Sequence, residues 1–119
     1  MKQAKICLNS VPSYRNGTHE RVFGSYACGT LPITSENRYL EEEFVSGDEL
    51  LFYSFQNRGA INESINEILA NETQRQQMVE AGREKVMARH TWDQRVEMLL
   101  KELPPLIARR QQMYLDKMR

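Results

Sequence analysis

The sequence predicts an α/β fold, a parallel three-stranded sheet with flanking helices and a helical C-terminal end. Three observations predict it. Strand-like apolar runs stand at Ile6-Cys7-Leu8, Leu31 to Thr34 and Glu49 to Phe55. Capped or amphipathic segments separate them, and the alternation strand, helix, strand, helix, strand implies parallel strands joined by right-handed crossovers. Beyond Phe55 the apolar residues recur with helical spacing only.

Each element has a local reason. The first strand leads into a polar stretch, Asn9 to Gly17, interrupted by Pro12. Thr18 can cap a helix running to about Cys28, and Gly29 stands where a left-handed residue ends such a helix. After the second strand, the polar and acidic segment Ser35 to Glu43 suits a short helix, and Ser46-Gly47-Asp48 suits a turn. Leu50, Leu51, Phe52, Tyr53 and Phe55 form a nearly continuous apolar run, the pattern of a strand covered on both faces.

Ile61, Ile65, Ile68 and Leu69 then mark one helical stripe, and Met78, Val79, Gly82 and Val86 a second. Thr91-Trp92-Asp93-Gln94 is a capping box, opening a helix whose apolar face is Val96, Leu99, Leu100 and Leu103. Pro104-Pro105 is expected to break that helix, leaving a polar last helix from Leu106 to Arg119. The expected division is therefore a domain over residues 1–103 and a helical tail over residues 104–119.

Composition narrows the function. At 119 residues, 40% hydrophobic and 27% charged, the chain builds one core. Sixteen Lys and Arg balance sixteen Asp and Glu, so the net charge makes no case for nucleic acid as a partner. No apolar run reaches the roughly 20 residues of a membrane span and no secretory signal opens the chain. Cys7 and Cys28 lie in apolar runs and read as buried free thiols, and no zinc-ligand spacing occurs. A cytoplasmic setting is expected, with no cofactor.

The stretch from Ser10 to Thr34 can carry chemistry. A loop leaves the carboxyl end of a strand and feeds a helix, the place where parallel α/β sheets bind ligands. The first helical turn offers free amides and the positive end of the helix dipole. Gly17 permits close approach to the backbone, and Arg21 stands one turn in, where a guanidinium can hold a phosphate oxygen. The alternative reading is a polar loop, a capped helix and a surface arginine.

The string Arg21-Val22-Phe23-Gly24-Ser25-Tyr26-Ala27-Cys28-Gly29-Thr30-Leu31-Pro32-Ile33-Thr34 resembles the C-terminal signature of GT-B glycosyltransferases. Within the group 1 glycosyltransferases it is most similar to the spore-maturation-protein-like subgroup. The resemblance continues in order through Glu42-Glu43-Phe44, Gly47-Asp48-Glu49, Tyr53, Gly82, Val86, His90-Thr91-Trp92, Arg95 and Leu99-Leu100.

The resemblance implies a part of the second of two Rossmann-like domains, the one that binds the nucleotide-sugar donor. Asn16, Gly17, Thr18, His19 and Arg21 would contact the donor diphosphate. The acceptor would belong to a missing N-terminal domain, and this chain alone would be inactive. The family carries a ribose-binding glutamate after its Arg-x-Phe triplet; here that position is Gly24. A further acidic residue, common eight positions earlier, is here Asn16. A non-catalytic Rossmann-like binding or interaction module is the alternative that these two departures favour. A first strand with no neighbour on its outer edge also leads us to expect a homo-oligomer, associating through that edge or through a helix laid over it.

The remaining candidates read as structure. His19 has no visible catalytic partner, and His90 precedes the capping box. Glu41, Glu42 and Glu43 are consecutive on a helix and point in different directions. Trp92 and Phe44 are expected to be core anchors. A phosphoacceptor receiver domain, which the length would suit, fails because no acidic pair follows the first strand.

Overall fold

The computed structural model describes residues 4–13 and 16–118, and all but the side chain of Arg58 among them. Tyr14 and Arg15, in the polar stretch after the first strand, and Arg119, at the expected end of the last helix, fall outside the described residues. Residues 1–87 and 88–119 form two separate units.

The first unit is an α/β layer structure. In chain order it holds β1 (Ile6–Asn9), α1 (Glu20–Ala27), β2 (Leu31–Ser35), α2 (Arg38–Glu43), β3 (Leu51–Tyr53), α3 (Arg58–Ala70) and α4 (Glu72–Arg89), whose last two residues enter the second unit. The strands pair in parallel in the order β1-β2-β3, with Ile6 opposite Leu31 and Ile33 opposite Leu51. This is the expected fold class. The middle strand is buried at all five residues.

Strand alternation sends successive side chains into two cores. Leu51 packs with Leu31, Ile68, Met78 and Val79, while its neighbour Phe52 packs with Val22, Tyr26, Leu40, Phe44, Leu50 and Val86. Full burial of Leu31, Ile33, Leu40 and Leu50 contributes roughly 1.5–3 kcal/mol each.

Pro32 stands in the middle strand, where proline is normally excluded for want of an N–H. The register explains it. The Leu31 amide bonds towards β1, to the Lys5 carbonyl, so residue 32 faces β3. On that side the Glu36 amide bonds the Tyr53 carbonyl, and stepping back in twos brings residue 32 to the Glu49 carbonyl, ahead of β3. That carbonyl accepts from Tyr26 Oη at 2.7 Å instead. Burial, then the charge of Glu49, pushes the Tyr26 phenol well above its ordinary range.

Several expectations are corrected. The first helix starts one residue later than expected, with His19 and not Thr18 as its N-cap. Strand β3 is short and only half-buried, and Phe55 is exposed, because the strand lies at the sheet edge. On α3 only Ile68 of the expected stripe is buried, and Leu69 is exposed. Both cysteines are free but half-buried: Cys7 lies on β1, the other edge of the described sheet, and Cys28 caps the end of α1. Gly29 and Gly47 do adopt the left-handed backbone their turns require, at φ 71° and 86°.

The second unit is essentially one helix, α5 (Trp92–Lys117). Its capping box is complete: the Gln94 amide donates to Thr91 Oγ1 and the Thr91 amide to Gln94 Oε1. The helix runs through Pro104 and Pro105 without a break. These prolines deprive only the Leu100 and Lys101 carbonyls of their helical bonds, a local loss that leaves the remaining turns intact. Trp92 is 78% exposed and is no core anchor, whereas Phe44 is buried.

Candidate functional site

The carboxyl ends of β1 and β2 bring a polar group of residues together. Thr34 and Ser35 end the buried middle strand, so their hydroxyls need partners inside the protein. Asn9, the last residue of β1, donates from Nδ2 to Thr34 Oγ1 at 3.0 Å. The Val11 amide donates to Ser35 Oγ at 3.0 Å. Tyr53, the last residue of β3, donates from Oη to the Asn9 carbonyl at 3.0 Å. All three strand ends are thereby tied to one point, and the loop leaving β1 is held at its base.

The far end of the same loop is held by Asn37. Its Oδ1 accepts from the Leu40 amide, capping α2, and its Nδ2 donates to the Gly17 carbonyl at 2.8 Å. Gly17 is thereby tied to the start of α2. The residues singled out from sequence sit around this frame. Asn16 is exposed, and Gly17, Thr18 and His19 are half-buried. Arg21, in the first turn of α1, is exposed, and its Nη1 reaches Asn9 Oδ1 only at 3.5 Å, a long bond that leaves the guanidinium able to engage a ligand.

Two features of the α1 start suit an anion. The His19 side chain makes no capping bond, so no N-cap side chain occupies the first-turn amides. Thr18 Oγ1 is buried and has no hydrogen-bond partner among the described residues. An unmet buried hydroxyl costs roughly 1–3 kcal/mol, a deficit that a bound oxyanion would remove. Glu20 places an exposed carboxylate in the same turn, so amides and Arg21 must outweigh it.

Gly24 lies one turn further along α1, three residues from Arg21 and on the same side of the helix. Nothing lies within 4 Å of where its β-carbon would be, so the missing side chain leaves open space beside Arg21. No group of three or more His, Cys, Asp or Glu among the described residues could hold a metal ion.

A family model described as "Glycosyl transferase-like" matches residues 1–101. The chain belongs to this glycosyl transferase-like family. No curated protein and no solved structure matches it. No described helix of this glycosyl transferase-like chain is long and apolar enough to cross a membrane.

Sequence reasoning missed Asn9, Thr34, Ser35, Asn37 and Tyr53 as the frame of the site. A signal for Asn37 was present, an asparagine three residues before Leu40 at the start of a short helix. The polar pair closing an otherwise apolar strand marked Thr34 and Ser35. Asn9 and Tyr53 had no local signal, because their roles exist only across the sheet.

Proposed function

We propose that this chain is the donor-binding part of a GT-B glycosyltransferase of the spore-maturation-protein-like kind, with residues 1–103 as the donor-binding portion and residues 104–119 as its tail. It binds the diphosphate of a nucleotide sugar at Asn16 to His19 and Arg21, beside the carboxyl ends of β1 and β2. Membership of the glycosyl transferase-like family supports a sugar-nucleotide ligand. The observation that carries the location is the buried, unmet Thr18 hydroxyl next to first-turn amides that no N-cap side chain occupies. Arg21 and the amides stabilise the leaving diphosphate, the charge that develops as the glycosidic bond to the donor breaks. The acceptor belongs to a second domain, and the 119-residue chain alone does not turn over donor.

Gly24 and Asn16, which stand where the family resemblance implies acids, favour a second reading, a binding module without turnover. Calorimetric titration of uridine diphosphate into the wild-type chain and Arg21→Ala tests the first. We expect binding that weakens roughly tenfold in the variant, the effect of losing one charge-assisted hydrogen bond. Equal binding by both proteins removes Arg21 from the site, and no binding by either supports the module reading.

A further inference from the structure

Helix α5 spans 26 residues, about 39 Å at 1.5 Å per residue, and none of them is buried. Its apolar residues follow a seven-residue repeat. Val96, Leu99 and Leu100 recur as Leu103, Leu106 and Ile107, then as Arg110, Met113 and Tyr114. A repeat of 3.5 residues keeps one seam facing a partner helix over its whole length. The seam positions are exposed, Leu106 at 58% and Leu100 beside them at 68%, and Leu100, Leu103, Pro104 and Ile107 line a shallow apolar groove on its flank. With Leu103 and Leu106 on the seam, Pro104 falls on the flank that lines this groove and Pro105 on the face turned away from the seam, and the two amides they lack belong to bonds within the helix, not to contacts with another helix.

Charge decides what the partner is. The position just before each first seam residue holds Arg95, Glu102, Arg109 and Asp116, alternating in sign. In an antiparallel pair of identical helices these positions meet one another across the seam. Setting Leu103 of one copy opposite Leu106 of the other brings Glu102 beside Arg109 and Arg95 beside Asp116, each pair occurring twice. The same register sets Leu100 against Ile107 on the opposite flank. In a parallel pair, Glu102 and Arg109 would instead face the positions of Ile107 and Tyr114, and the alternation would have no use.

We propose that α5 is a homodimerisation helix, pairing antiparallel with α5 of a second copy about a two-fold axis near Pro104 and Pro105. Leu99, Leu103, Leu106 and Met113 form its apolar seam, and Glu102 and Arg109 fix its direction and register. Arg110 extends its charge past the seam along the Tyr114 ring, 5.7 Å from its centroid in the single chain.

Sedimentation equilibrium of the 119-residue chain from micromolar to millimolar concentration tests this. The expected result is a monomer–dimer equilibrium. Glu102→Arg should weaken the dimer at least about tenfold, because each substitution turns two attractive pairs repulsive, and Glu102→Arg with Arg109→Glu should restore it. These positions are exposed, so the fold of the monomer is unaffected, which circular dichroism verifies. A monomer at every concentration overturns the proposal, and so does a dimer that Glu102→Arg leaves unchanged.

Discussion

The ring of Tyr26 occupies the space where a β-carbon on Gly82 would be, so α4 lies directly against the ring, and the same tyrosine donates to the Glu49 carbonyl at 2.7 Å. Gly82→Ala forces the ring to shift within a buried cluster, where Phe44 already stacks on it at 5.6 Å. The expected cost is about 1–3 kcal/mol, the usual effect of overpacking a filled core. Tyr26→Phe keeps the ring and orphans a carbonyl that Pro32 cannot serve, at about 1–2 kcal/mol. Urea unfolding of both variants checks this, and wild-type stability of Gly82→Ala would show that the helix lies further away.

Glu72 ties α4 to the start of β1. It accepts from Arg75, and Lys5 pairs with it at 2.9 Å, while Arg75 Nη1 donates to the Lys5 carbonyl. The Arg75 hydrogen bonds, then Lys5, lower the Glu72 pKa from 4.5 to about 2. A carboxyl with a depressed folded pKa adds stability above its unfolded pKa, and that stability is lost as pH falls through the folded value. The wild-type melting temperature should therefore fall relative to Glu72→Gln between pH 4.5 and pH 2. Parallel curves through that window would show that the contact has no energetic weight.

Thr18→Val replaces the buried, unmet hydroxyl with a methyl of the same shape. Without ligand the variant should melt at the wild-type temperature or above it, since it removes an unmet polar group. Its affinity for uridine diphosphate should drop by roughly tenfold, one hydrogen bond to an anion. A loss of stability without ligand would show that the hydroxyl already has a partner.

Gly24 offers a test of the ribose position. Gly24→Ala meets no obstruction and should stabilise α1 by about 1 kcal/mol through helix propensity. Gly24→Glu should in addition strengthen nucleotide binding by about 1–2 kcal/mol, the worth of a charge-assisted hydrogen bond. Calorimetry on the two variants isolates the carboxylate. Equal affinities would show that the space beside Arg21 does not receive the ribose.

The legible parts of this fold were those with local causes. The capping box at Thr91 and Gln94, the glycine turns and the stripe Met78, Val79, Gly82 and Val86 are each set by neighbours within a few residues. The parallel sheet followed from the alternation of elements. Burial of β3 was misjudged because an apolar run does not say whether a strand is central or at an edge. The break expected at Pro104 did not occur, since the two prolines remove only the bonds to the Leu100 and Lys101 carbonyls and leave the other turns bonded. At the site, the loop and Arg21 were legible as a strand-to-helix junction. The bonds from Asn9 to Thr34 and from Tyr53 to Asn9 join residues 25 and 44 positions apart, beyond the reach of any local pattern.

In the proposed function the start of α1 and the loop before it hold a nucleoside diphosphate. Titrating uridine diphosphate into the ¹⁵N-labelled chain and following its amide resonances tests this most directly. Saturable shifts are expected, centred on Gly17 to Arg21 and spreading through Asn9, Thr34 and Asn37, the residues bonded to that loop and helix. Shifts confined to other elements, or none at millimolar nucleotide, would contradict it.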